Sequence, residues 1–169
     1  MKTIILVRHA KSSWKDPSLD DFDRPLNKRG KRNAPFMGNK LKERKIMPNL
    51  VLSSPAKRAK KTAIAVAKAL DYPKKKIVYF DKMYHASART LFDLLKSLDD
   101  ENETIMLFGH SPSLNKFADM LLKRNPITNI PTSGVCCIRF YVNQWQKVEE
   151  AKGEIVFFDF PKRYKDESV

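Results

Sequence analysis

With 169 residues, the chain is long enough to bury one substantial core, and a single domain is expected. A composition of 42% hydrophobic and 31% charged residues is that of an ordinary globular protein, and no apolar run approaches the roughly 18 residues of a membrane helix. The 33 Lys and Arg exceed the 19 Asp and Glu by 14, so anionic partners come first to mind.

The charge is unevenly spread. Between Arg24 and Lys76 stand seventeen Lys or Arg and two acids, Glu43 and Asp71. No recognition helix, zinc finger or aromatic RNA-binding signature accompanies them, so nucleic acid is not the expected partner. The opening Met-Lys-Thr-Ile-Ile-Leu-Val imitates a signal peptide, but its apolar run stops at Arg8, too soon for a secretory core. Cys136 and Cys137 are adjacent and poorly placed to pair, which suggests buried thiols in a reducing, cytoplasmic setting.

Thr3 to Val7 reads as a buried parallel strand ending in Arg8-His9, where open α/β sheets bind ligands. A polar connection follows from Lys11 to Pro25, without helical or strand period, and is expected to face substrate. Asn27 caps a helix running to about Arg44, with Phe36, Met37 and Leu41 inward and a kink expected at Pro35. Leu50 to Leu52 is a second strand, and Ala56 to Leu70 a helix with Ala59, Ala63, Val66, Ala67 and Leu70 on one face. Ile77 to Phe80 forms a third strand and Thr90 to Leu98 a leucine-striped helix. Thr104 to Phe108 is a fourth strand ending in Gly109-His110, and Ser111 or Ser113 is expected to cap the next helix, through Leu122. Val135 to Val142 and Glu154 to Phe160 read as a closing hairpin. Residues 1–161 thus form one domain, and the polar tail 162–169 is expected to fray. The alternation implies an α/β fold: three layers, a mostly parallel central sheet with helices on both faces, and antiparallel strands near the C-terminus.

Arg8-His9, Arg58 and His110 all fall at or just beyond strand ends, a convergence that core histidines have no reason to show. The three histidines His9, His85 and His110 contain no short-spaced pair, and arginines beside them would repel a dication, so no metal site is expected. A phosphoryl group fits better. Arginine forks grip its oxygens, and a neutral histidine can attack phosphorus if its other ring nitrogen donates to an acceptor such as a backbone carbonyl.

Five blocks carry this pattern in order: Leu6-Val7-Arg8-His9-Ala10-Lys11-Ser12; Asp23-Arg24-Pro25-Leu26 with Arg29-Gly30; Ser53-Ser54-Pro55-Ala56-Lys57-Arg58-Ala59; Tyr84-His85-Ala86-Ser87; and Phe108-Gly109-His110-Ser111-Pro112. Together they resemble the histidine phosphatase superfamily (phosphoglycerate mutase-like), in particular its small SixA-type phosphohistidine phosphatases. The resemblance implies a phosphatase with His9 as nucleophile and transient phosphohistidine. Arg8, Arg58 and His110 would surround the phosphate, His110 being protonated when phosphate is bound, with no metal and no cofactor. Arg24 would reach the phosphate, flank the substrate or anchor its loop. His85, beside Tyr84 and Ala86, is expected to be structural.

The superfamily usually adds an acid that protonates the leaving oxygen, and no clear equivalent stands here. Asp81 is the nearest carboxylate in that part of the chain; Asp21, with Asp16, Asp20 and Asp23, lies on the first long loop. A missing acid suits phosphohistidine, whose imidazole leaves with a conjugate-acid pKa of about 6.5. The expected partner is therefore a phosphorylated protein, a His-containing phosphocarrier domain among the candidates, docked on the basic face. A small-molecule phosphomonoesterase and a non-catalytic phosphate or phosphoprotein binder are the alternatives.

Overall fold

The structure, a computed structural model, describes residues 1–124, 127 and 129–168, the last four by backbone alone. Its strands are β1 (Lys2–Arg8), β2 (Leu50–Ser53), β3 (Val78–Tyr79), β4 (Thr104–Gly109), β5 (Val135–Phe140) and β6 (Glu154–Asp159). The helices are α1 (Lys28–Glu43), α2 (Lys57–Ala69), α3 (Ala88–Lys96) and α4 (Ser113–Leu121). The strands form one sheet in the order β3-β2-β4-β1-β5-β6. β1, β2, β3 and β4 run parallel, whereas β5 and β6 are antiparallel, β6 to β5 and β5 to β1.

Strand alternation decides which layer each side chain enters. Ile4, Leu6, Leu52, Ile105 and Leu107 meet Leu91 and Leu95 of α3 and Leu114, Phe117 and Leu121 of α4. Ile5, Val7, Val51, Met106 and Phe108 meet Met37 and Leu41 of α1 and Ala63, Val66 and Ala67 of α2. The result is the expected three-layer α/β arrangement. Neighbouring Cys136 and Cys137 enter opposite layers, so both thiols are free and buried. Burial pushes the Cys136 thiol up to about 12 and the Cys137 thiol up to about 11, which keeps both inert.

Some local expectations give way to tertiary contacts. α1 extends on both sides of Pro35, and Asn27 caps it as expected, its side chain accepting from the Gly30 amide at 2.8 Å. Neither Ser111 nor Ser113 caps α4; Pro112 holds the cap position, and Ser111 Oγ instead accepts from the Asn115 side chain at 3.1 Å. The tail does not simply fray: Pro161–Ser168 continues in 3₁₀ turns, and the Tyr164 hydroxyl donates to buried Asp159 at 2.6 Å. Val169 lies outside the described residues. Among the described residues, no helix is long and apolar enough to cross a membrane.

Candidate active site

The site is built where three neighbouring parallel strands end. Arg8 pairs with Gly109, and Ser53 with Phe108, so β1, β4 and β2 finish level. The His9 amide donates to the Gly109 carbonyl, and the Ser54 amide to the Phe108 carbonyl, both at 3.1 Å. These bonds bring His9, Ser54 and His110 to one rim, although about fifty residues separate each from the next in the chain.

His9 is 8% exposed, and its Nδ1 lies 2.8 Å from the Ala10 carbonyl oxygen. A carbonyl can only accept, so Nδ1 carries the hydrogen and Nε2 presents its lone pair. Burial lowers the pKa of His9 to about 4 against the opposing effect of that hydrogen bond, and the charges of Arg58, Arg8 and Arg24 lower it further. The turn carrying the ring is fixed from two sides. Thr62 Oγ1 accepts from the Ala10 amide at 2.9 Å while donating to the Arg58 carbonyl at 2.7 Å. The Ser133 amide reaches the Arg8 carbonyl at 3.1 Å and that of His9 at 3.2 Å.

The His110 ring centroid lies 5.3 Å from that of His9. Its Nε2 is 2.8 Å from Ser54 Oγ, and its buried Nδ1 has no hydrogen-bond partner among the described residues. Burial, then the fields of His9 and Arg58, lower the pKa of His110 to about 3. Burial thus favours the neutral form of both histidines.

Asp21 organises the arginines. Arg58, on the first turn of α2, donates Nη1 to the Asp21 carbonyl at 2.7 Å and Nη2 to Asp21 Oδ2 at 3.0 Å. Arg24 Nη1 donates to Asp21 Oδ1 at 3.0 Å, and the Tyr84 hydroxyl to Oδ2 at 2.6 Å. The Tyr84 hydroxyl, then the arginines, hold the Asp21 carboxyl well below the usual carboxylate range despite some opposing burial. The surroundings of Asp21 thus favour its ionised form. Arg24 is buried, with its guanidinium 3.2 Å from the centroid of the Trp14 ring and bonds to Ser12 and Ser13. It anchors the loop while its charge still reaches His9.

Arg8 donates Nη1 to the Ile130 carbonyl at 3.0 Å, and its buried Nε has no partner among the described residues. Beside the two histidines opens a cleft of about 250 Å³, lined by residues including Arg58, Tyr84, His85, Gly109 and His110. His85 packs against Tyr84 at the surface. It is exposed, adopts φ 60°, and stacks 4.0 Å from the Tyr84 ring at the cleft wall. Exposed Asp81 lines the adjoining groove with Thr90 and Leu94 and is absent from the cleft lining. Asp16, Asp20 and Asp23 are likewise exposed on the first loop. Among the described residues, no group of three or more His, Cys, Asp or Glu is positioned to hold a metal ion.

A family model described as histidine phosphatase superfamily, branch 1, matches residues 4–84, which hold His9, Arg24 and Arg58. A solved SixA-type structure from Agrobacterium tumefaciens superposes with a TM-score of 0.82 at 28% identity, covering 95% of this chain and 98% of that one. Over residues 4–84 the chain thus carries the histidine phosphatase pattern, and along its length it takes the SixA-type fold. A protein histidine phosphatase SixA complexed with tungstate shares the fold at a TM-score of 0.82 and 20% identity, over 95% of this chain and 98% of that one. An uncharacterised protein of Mycobacterium tuberculosis is 29% identical over 92% of this chain and all of its own length. These likenesses support a phosphatase of the SixA type.

The structure brings His9, His110 and Arg58 together at one rim, with Arg8 and Arg24 flanking them. Three contributors were not assigned roles from sequence: Ser54, Thr62 and Tyr84. Thr62 was detectable in principle, because a threonine four residues after Arg58 lies on the same helical face. Nothing local could have paired Tyr84 with Asp21 across 63 residues.

Proposed function

We propose that this phosphatase hydrolyses phosphohistidine in a partner protein through a covalent phosphohistidine on His9, without a metal. Neutral His9, with Nδ1–H held by Ala10, attacks phosphorus through Nε2. The P–N bond of the substrate phosphoimidazole, already protonated on its other ring nitrogen, breaks as the new P–N bond to His9 forms, so the imidazole leaves neutral and no proton is drawn from the enzyme or from water. Arg58 and Arg8 stabilise the equatorial oxygens, Arg24 adds its field, and His110 donates to the phosphoryl group once the anion raises its basicity. Water then attacks the phosphorus on His9, releasing inorganic phosphate and the neutral imidazole.

The observation that carries the substrate choice is Asp21. It is the one carboxylate bonded to the arginines of this pocket among the described residues, and Arg58, Arg24 and Tyr84 hold it ionised. An alkoxide leaving group needs a proton and an imidazole does not, so this environment favours P–N over P–O bonds, by up to the 10² to 10⁴ typical of general acid help. A cleft of about 250 Å³ lies below the range of roughly 300–1,000 Å³ usual for small-ligand pockets, which suits the tip of a side chain. Two buried thiols kept as free cysteines agree with a reducing, cytoplasmic setting.

The test incubates wild type and His9→Ala with a phosphohistidine protein and with a simple alkyl phosphomonoester. Acid-labile, base-stable phosphate on wild type alone, with phosphohistidine strongly preferred, is the expected result. Equal activity of the two proteins would remove His9 from the reaction, and equal turnover of the two substrates would remove the specificity.

A further inference from the structure

A basic concavity begins at Arg8, the residue before His9, and runs along α1. Its first stretch is lined by Arg8, Lys11, Arg29 and Lys162; its second by Arg29, Arg32 and Lys162 over the rings of Phe36 and Tyr164. The shared residues Arg29, Pro161 and Lys162 make the two stretches one groove. Among the described side chains, no Asp or Glu lines either stretch. Lys40 stands at the far end, its Nζ 4.5 Å from the centroid of the Tyr164 ring, but its charge is shared with Glu43 at 3.5 Å. Asp159 beneath is fully buried and already met by Arg44 and the Tyr164 hydroxyl, so it offers the groove no counter-charge at the surface.

The placement of these cations is unfavourable for the isolated fold. α1 carries Lys28, Arg29, Lys31 and Arg32 within its first five residues and no acid in its first turn. The positive end of the helix dipole normally collects Asp and Glu and is opposed by cations. These side chains are exposed and serve no core contact. An anion laid along the groove would relieve that repulsion, and the flat rings at its floor would pack against an extended or helical segment.

We infer that this groove seats an acidic segment of the phosphoprotein substrate, next to its phosphorylated side chain. The inference rests on the phosphoprotein reading given above. Arg8 provides the link: its charge acts on His9 while its side chain lines the head of the groove, so the docked segment and the phosphoryl group share one wall.

The test compares wild type with the triple variant Arg29→Glu, Arg32→Glu, Lys162→Glu and with the milder triple alanine variant. Binding of a fluorescent oligoglutamate peptide is measured from about 0.01 to about 1 M salt, which shortens the screening length from about 30 to about 3 Å. A duplex DNA of similar charge is titrated alongside. Turnover of p-nitrophenyl phosphate and of an acidic phosphohistidine protein is then followed. Peptide affinity and phosphoprotein kcat/KM should fall about tenfold or more in the charge-reversed variant, less with alanine, and nearly vanish at high salt. Turnover of p-nitrophenyl phosphate should stay within about twofold, since none of the three residues belongs to the pocket chemistry. Equal peptide binding by wild type and variants would overturn the inference, as would tighter binding of DNA with the same sensitivity. Groove-dependent peptide binding without hydrolysis of any phosphohistidine protein would reject the substrate reading and, with it, the identity of the docked segment.

Discussion

Asp21 Oδ2 lies 3.0 Å from Arg58 Nη2, and the Asp21 main-chain carbonyl takes the other terminal nitrogen at 2.7 Å. A loop residue thereby grips one edge of the arginine fork, leaving Nε and the remaining N–H groups for an incoming anion. Positioning of this kind matters because phosphoryl transfer is catalysed mainly by geometry and charge.

Asp21→Ala should therefore lower kcat/KM about 10- to 100-fold by freeing Arg58 and Arg24, a cost of about 1.4–2.7 kcal/mol in transition-state stabilisation. The loss should be similar for phosphohistidine and alkyl phosphate substrates. A loss that grows with the basicity of the leaving group would instead identify Asp21 as the proton donor. Asp21→Asn, which keeps the main-chain contact and an acceptor oxygen, should retain more activity than alanine.

The pH profile follows from His9, whose attacking form is neutral. With its pKa lowered to about 4, the nucleophile stays competent well below the ordinary histidine value of 6.5. On a phosphohistidine substrate, the His9-dependent acidic limb of kcat/KM should lie near pH 4. A limb near 6.5 would mean that His9 is not buried in the active form.

Stability carries the same signature with a definite sign. Folded His9 and His110 titrate at about 4 and about 3 and unfolded histidine near 6.5, so the unfolded chain binds more protons between those values. Their contribution is complete above pH 6.5 and declines as pH falls towards 4. Urea midpoints should drop over that window, and His110→Asn, which cannot titrate, should show a shallower slope.

Thr62→Val keeps the shape but deletes the hydroxyl that meets the Ala10 amide in a fully buried site. An orphaned buried amide costs about 1–3 kcal/mol, readable as a lower urea midpoint. Activity should fall as well, because the same bond fixes the turn that carries His9.

Gly30→Ala tests how the first long loop is seated. A Cβ there would overlap the Lys11 carbonyl oxygen, which already accepts from the Asn27 amide at 2.9 Å. Backbone must move, so a loss of about 1–3 kcal/mol or more is expected in chemical denaturation, with weaker activity through displaced Arg24.

The strands, the helices and their three-layer order were legible in sequence because hydrophobic period and length are local properties. Ile4 to Val7, followed by Arg8-His9, already placed a reactive pair at a strand end, and Arg58 and His110 marked the matching rims. Where local reading failed, distant contacts decided. Ser111 and Ser113 looked like caps, yet Pro112 took the position; the tail looked free, yet Tyr164 found buried Asp159.

What the sequence by itself determined is therefore the set of chemical groups and the side of the sheet on which they emerge. Their protonation and aim were decided only in three dimensions. Ala10, next to His9, chooses the tautomer through a backbone angle that no pattern encodes. Asp21 was one of several loop aspartates until Arg58, Arg24 and Tyr84 converged on it and held it ionised. Electrostatic environment is a property of proximity, and proximity across tens of residues exists only in the folded chain.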